Sequence, residues 1–149
     1  MKMTQSEALE TLHARRQPAL ITLGYSDILE ADPEHGRIKF KFVARPEFCH
    51  SGDIVQGGFL TGMVDTAMAQ AAILRAHFTM AVPTLELKIS FFEPGHPGPL
   101  FAEGWVVRWG RSTAFLEGSL TNDQGAMIVK ASSTIKLIPM QKRPLTQVG

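Results

Sequence analysis

The sequence predicts an α+β domain, an antiparallel sheet with one long helix lying on a single face. Three observations point there. From Gly57 to His77 apolar residues (Phe59, Leu60, Met63, Val64, Ala67, Met68, Ala71, Ala72, Leu74) cover almost the whole circumference of a helix, which marks a buried helix. From Thr84 onward the hydrophobic period switches to two, the period of a strand. Short turns carrying Gly and Asn then separate the strand-like runs, as hairpins require.

The elements come in order. Thr4-Gln-Ser-Glu7 has the form of a capping box, with Ala8, Leu9 and Leu12 on one face of the segment after it. This predicts an N-terminal helix over about 5–17, ended near Pro18. Residues 36–44, GRIKFKFVA, alternate apolar and basic from Ile38 to Phe42, a half-exposed strand. A loop with Pro46 leads into HSGDIVQGG and the long helix, which at about 1.5 Å per residue spans roughly 30 Å. Thr84–Phe91 is a clean alternating strand, closed by the loop EPGHPGP; Leu100–Trp109, Thr113–Thr121 and Ala126–Ile138 come next, joined by turns at Gly110-Arg111 and Asn122–Gly125. Strands joined this way predict a serial meander. Residues 140–149 form a polar, loose tail. The 149 residues read as one domain, with a core over about 35–138 and neither an internal repeat nor a long linker.

Composition bounds the function. Hydrophobic residues make up 44% and charged residues 19%, a globular balance. The formal net charge of +1 gives no reason to expect nucleic acid or an anionic membrane as the main partner. Cys49 is the single cysteine, so no internal disulfide forms, in keeping with a reducing compartment. The N-terminus lacks the apolar core of a signal peptide, and no apolar run approaches the roughly 18 residues of a membrane span. The expectation is a soluble, cytoplasmic protein. None of His13, His35, His50, His77 and His96 has a His, Cys or carboxylate at zinc-ligand spacing on a shared element. With no phosphate-binding glycine loop and no G-x-S-x-G elbow, neither metal nor cofactor is expected.

Chemistry concentrates in His50–Gln70. Gly57 and Gly58 open the long helix, where unpaired N–H groups and the helix dipole favour negative charge and glycine lets a ligand approach the backbone. They can form an oxyanion hole, or simply a tight turn. Asp65 interrupts an apolar helix. Burial there would raise its pKa toward a value useful to a general base; alternatively it faces solvent. Seven residues separate Gly58 from Asp65, nearly two turns and about 10 Å along the axis. That is too far for both to act on one carbonyl. A twofold dimer with antiparallel helices, crossing near the small residues Thr61 and Gly62, would bring Asp65 of one subunit beside Gly57 and Gly58 of the other.

The stretch Gln56-Gly57-Gly58-Phe59-Leu60-x-x-Met63-Val64-Asp65, with the antiparallel strands after it, resembles the hotdog-fold acyl-CoA thioesterases, and most closely their phenylacetate-pathway (PaaI-like) group, over about residues 35–138. That resemblance implies a sheet wrapped around one central helix, an acyl-CoA substrate, and a homodimer or dimer of dimers whose shared site takes its acid from one subunit and its glycine N–H from the other. In that group the usual pattern is an Asn, then His-Gly-Gly, then an acid seven residues on. Gly57, Gly58 and Asp65 match it. Gln56 stands in place of the His and His50 in place of the Asn. Gln56 retains hydrogen-bonding capacity; His50 could orient the thioester or the water, but titrates near neutrality. Thr84 falls where relatives carry a hydroxyl that positions the water. The turn Trp109-Gly-Arg-Ser-Thr113 matches a family turn near the coenzyme A arm, so Arg111 and Ser112 are candidates for its phosphates, or an ordinary hairpin turn; Lys88 and Arg108 are less specific.

The expected reaction is hydrolysis of an acyl-CoA thioester, with Asp65 as general base or nucleophile. Phe59, Met63, Met68, Phe91 and Phe92 are candidates for the acyl pocket, or plain core; adaptable Met side chains would suit a broad acyl range. The alternative is a non-catalytic acyl-CoA-binding hotdog protein, or a structural dimer. FFEPGHPGP superficially resembles the His motif of hotdog dehydratases, but it comes after a strand and leads into another, so His96 is read as a loop residue.

Overall fold

The structure is a computed structural model and describes residues 2–15 and 17–141. The capping box forms as expected: the Thr4 Oγ1 accepts from the Glu7 N–H at 3.2 Å and the Glu7 carboxylate accepts from the Thr4 N–H at 2.7 Å. It opens α1 (Gln5–Ala14). Pro18 does not simply end this helix. It occupies the first turn of a separate short helix, α2 (Pro18–Thr22), a position where its missing N–H costs nothing.

β1 (Tyr25–Asp32) is next and had no counterpart in the sequence-based expectation. Its buried residues, Ile28 and Ala31, are three apart, because the strand is irregular against its neighbour between Tyr25 and Asp27 and between Ile28 and Glu30. Bulges of this kind erase the two-residue period. β2 (Arg37–Ala44) turns Ile38, Phe40, Phe42 and Ala44 into the core. A 3-10 turn (Pro46–Phe48) and the small hairpin β3 (Cys49–Ser51) and β4 (Ile54–Val55) lead to α3 (Gly57–Arg75). The helix stops two residues before His77, where His77 and Phe78 take φ of 51° and 61°. This left-handed exit lets the Phe78 N–H reach the Ile73 carbonyl at 3.0 Å, a Schellman-type cap.

The rest is β5 (Met80–Ala81), β6 (Thr84–Phe91), β7 (Gly98–Trp109), β8 (Thr113–Asn122), β9 (Met127–Lys136) and β10 (Ile138–Pro139). The last long strand is shorter than expected, since Ile138 and Pro139 leave the main sheet to pair with β5. The main sheet is antiparallel with order β1-β2-β7-β8-β9-β6. The serial meander therefore holds only for β7, β8 and β9. β6 pairs with β9, and the Pro/Gly loop after it crosses to the middle of the sheet rather than closing a hairpin. The expected tail, from residue 142 on, lies outside the described residues.

α3 lies on the inner face, with Leu60, Met63, Val64, Ala67, Met68, Ala71, Ala72 and Leu74 buried. Its approach is close because the sheet offers glycine beneath it: a Cβ on Gly104 would sit 2.3 Å from the Ala67 carbonyl oxygen, and one on Gly118 2.8 Å from Met68 Cγ. Two features are left open. One is the outer edge of β6, which pairs with no other strand among the described residues and carries the exposed Leu85 and Phe91. The other is a stripe of α3 at helical spacing, Gly58, Thr61, Asp65 and Ala69, exposed or half-buried.

Candidate active site

The start of α3 is held from two directions. The Gln56 N–H donates to the Phe48 carbonyl at 2.9 Å, and the Val55 N–H to the Gly95 carbonyl at 2.9 Å. Phe59 stacks on Phe48 with centroids 4.3 Å apart and planes 7° from parallel. These contacts fix the direction in which the helix begins. Gln56 is the residue flanking the first turn, yet its side chain makes no capping hydrogen bond. Its carbonyl accepts from the Phe59 and Leu60 N–H groups. The N–H groups of Gly57 and Gly58 find no acceptor among the described residues, at the positive end of a 19-residue helix.

The two glycines differ. A Cβ on Gly57 would lie 3.0 Å from Phe91 Cζ, so its missing side chain is occupied by an aromatic ring. A Cβ on Gly58 would meet nothing nearer than the Gln56 Oε1, at 3.8 Å. No described residue of this chain requires glycine there, and Gly58 is exposed.

Asp65 is half-buried, and its Oδ1 is shielded from solvent without a hydrogen-bond partner. Burial pushes its pKa above the ordinary 3.8, while the Thr84 hydroxyl beside it pulls the other way. Thr84 thus stands with the acid in a single chain. Gly58 and Asp65 remain about 10 Å apart along the axis, so one chain brings the acid to Thr84 but not to the glycines.

His50 is exposed on β3, its Nδ1 2.9 Å from the Ser51 Oγ. Arg111 and Ser112 are exposed at the β7–β8 turn. That turn is at the far end of α3, because Trp109 beside it carries the Arg75 guanidinium 5.8 Å from its ring centroid; α3 is about 27 Å long. Met63 and Met68 have no exposed surface and serve as core. Gly62 is not available to a partner helix, since Leu23 of the same chain covers it, 2.9 Å from where a Cβ would be. The open stripe runs instead through Gly58, Thr61, Asp65 and Ala69. His96 is tied to its loop, with Nδ1 2.9 Å from the Asp53 carbonyl and 3.2 Å from its carboxylate.

Beside Gly57 lies a cavity of about 370 Å³, lined by Val55, Leu60, Phe91, Phe92, Glu93 and the Pro94–Gly95 turn. Phe91 and Phe92, acyl-pocket candidates in the sequence, line this cavity; Val55, Leu60 and Glu93–Gly95 also line it and had no counterpart in the sequence reading. The available signal was the loop EPGHPGP, whose length and glycines let it fold back over the helix start, as the Val55–Gly95 hydrogen bond shows.

A single long helix packed on one face of an antiparallel sheet is the architecture of the hotdog fold. The family model of the Thioesterase superfamily matches residues 52–129. A protein of Saccharolobus solfataricus named as an esterase is 31% identical over 107 residues, 72% of this chain and 76% of that one. A thioesterase-named, phenylacetic acid degradation-related protein of Ralstonia eutropha is 29% identical and superposes with a TM-score of 0.78 over 87% of this chain and 98% of its own. A Streptococcus mutans protein crystallised with acetyl-CoA shares the fold, at 20% identity and a TM-score of 0.70 over 79% of this chain and 91% of its own. The chain belongs to the Thioesterase superfamily and falls with its PaaI-like, hotdog-fold members.

Proposed function

We propose that the protein hydrolyses acyl-CoA thioesters at a site shared by two copies of the chain. The observation that carries this reading is Asp65: an acid with an orphaned, shielded oxygen and a raised pKa, on a stripe of α3 that the described residues of its own chain leave partly open. Such an oxygen is a costly feature unless something else meets it. A twofold pairing along this stripe and the free edge of β6 would set Asp65 of one subunit opposite Gly57 and Gly58 of the other, twice per dimer. The homodimer is then obligatory for activity. It also carries the Arg111–Ser112 turn of one subunit past the glycines of the other, toward an extended pantetheine arm and its phosphates.

In this reading the thioester oxygen rests on the N–H groups of Gly57 and Gly58. Asp65 takes a proton from water, the hydroxide attacks the carbonyl carbon, and the oxyanion of the tetrahedral intermediate is held at the helix end. Collapse breaks the C–S bond; the thiolate of coenzyme A takes the proton and leaves, and the free acid remains. Direct attack by the Asp65 carboxylate would give an anhydride that water then opens, with the same products. Thr84 orients the acid or its water, Gln56 lies beside Gly58 at the oxyanion end, and His50 stands on the approach to it. The cavity beside Gly57 receives the acyl group.

The test is release of free thiol from a panel of aliphatic and aryl acyl-CoAs. Saturable release that Asp65→Asn removes supports the reading. Tight binding without turnover replaces it with the non-catalytic acyl-CoA-binding alternative, and absence of both overturns it.

A further inference from the structure

Glu93, an exposed residue, is the one charged residue that lines the cavity beside Gly57; no Lys or Arg lines it. Its remaining lining is apolar: Val55, Leu60, Phe91 and Phe92, with Leu60 only 2% exposed and pressed against Gly95, where a Cβ would come within 2.9 Å of its Cδ2. Glu93 makes no ion pair or side-chain hydrogen bond with any described residue. On the same loop the His96 Nδ1 lies 3.2 Å from the Asp53 carboxylate, not against Glu93. The lining therefore offers no cation to receive an anionic group.

We propose that Glu93 is a specificity-determining residue, which turns away acyl chains ending in a carboxylate and leaves the cavity to neutral ones. The proposal rests on the acyl-CoA reading above and names the substrate class within it. Two effects act on a terminal carboxylate entering this cavity. It loses water to the aromatic and aliphatic walls, and it meets the like charge of a residue in the lining. At a partly wet surface site such repulsion is worth about one order of magnitude in affinity. The first effect belongs to the walls and persists in any Glu93 variant; the second belongs to Glu93 alone.

The experiment compares hexanoyl-CoA with adipoyl-CoA, which differ in the terminal carboxylate. Both the ratio of kcat/KM and the ratio of Kd are measured, in the wild type, Glu93→Gln, Glu93→Lys and Glu30→Gln. Glu30→Gln removes the same charge from an exposed site on β1, at the opposite edge of the sheet from β6 and outside the cavity. The expected result is a shift toward adipoyl-CoA of about tenfold in Glu93→Gln, a larger one in Glu93→Lys, and none in Glu30→Gln. Ratios within twofold of wild type in both Glu93 variants overturn the proposal, as does an equal shift in Glu30→Gln. If both compounds bind without turnover, the hydrolase reading fails while the Kd ratio still decides for or against Glu93. If neither binds, both fail together.

Discussion

The two faces of α3 are built to different rules. Toward the sheet the helix packs against backbone: Ala67 lies over Gly104 and Met68 over Gly118, and a single methyl group on Gly104 would strike the helix backbone. On the opposite face Asp65 keeps an oxygen without a partner, Gly58 has empty space where a side chain would go, and the first-turn N–H groups are uncapped. An outward helix face is ordinary; a shielded acid oxygen left without a partner on it is not, and that is why the proposed site is placed on this face.

Substitutions can break this contrast. The largest effect is expected for Asp65→Asn, a loss in kcat/KM of about 10²–10⁴ with the fold intact. The same substitution should raise thermal stability at neutral pH. Because the folded state raises the Asp65 pKa, it holds this proton more tightly than the unfolded chain does. Stability is therefore full below the ordinary value of 3.8 and falls as pH rises through the folded pKa. Asparagine removes that loss, so melting curves of the two proteins should converge in acid. Next is Gly58→Val, whose Cβ enters open space with only ordinary contact to Gln56 Oε1; kcat/KM should drop by about 10²-fold or more while the melting temperature changes little. Gly104→Ala should do the reverse: a stability loss of about 1–3 kcal/mol from overpacking, read by denaturant titration, with activity per folded molecule less affected. Equal effects of the two glycine substitutions on both readouts would erase the difference between the faces. The smallest effect is expected for Thr84→Val. The Thr84 hydroxyl lowers the Asp65 pKa, so the acid limb of the pH–rate profile, already above that of an ordinary aspartate, should move further up.

Much of this is legible in residue order. The capping box, the buried helix and the hairpins β7–β8 and β8–β9 are local patterns, and they fold where local chemistry places them. β1 is invisible because its irregular pairing with β2 breaks the alternation that would announce it. The place of β6 at the sheet edge is invisible for another reason: pairing to β9 is non-local, and a Pro/Gly loop reads alike whether it closes a hairpin or crosses a sheet. In the site, spacing already separates Gly58 from Asp65 and calls for a second subunit, but it cannot distinguish a free Gly62 from one covered by Leu23. Nor can it tell that Gly57 is glycine for the Phe91 ring whereas Gly58 has no such reason. Both facts depend on residues remote in sequence.

The central claim is that the acid and the glycines act across two subunits, and subunit mixing tests it most directly. Asp65→Asn and Gly58→Val homodimers are each shown to be dimeric and inactive, then unfolded together in equal amounts and refolded. In a mixed dimer one site is doubly altered and the other has wild-type Asp65 facing wild-type Gly58. The account predicts recovery of about a quarter of wild-type activity, since half of the dimers are mixed and each carries one intact site. Activity no higher than that of the parents, with mixed dimers demonstrated by mass spectrometry, would place both groups of each site in one chain and contradict the account.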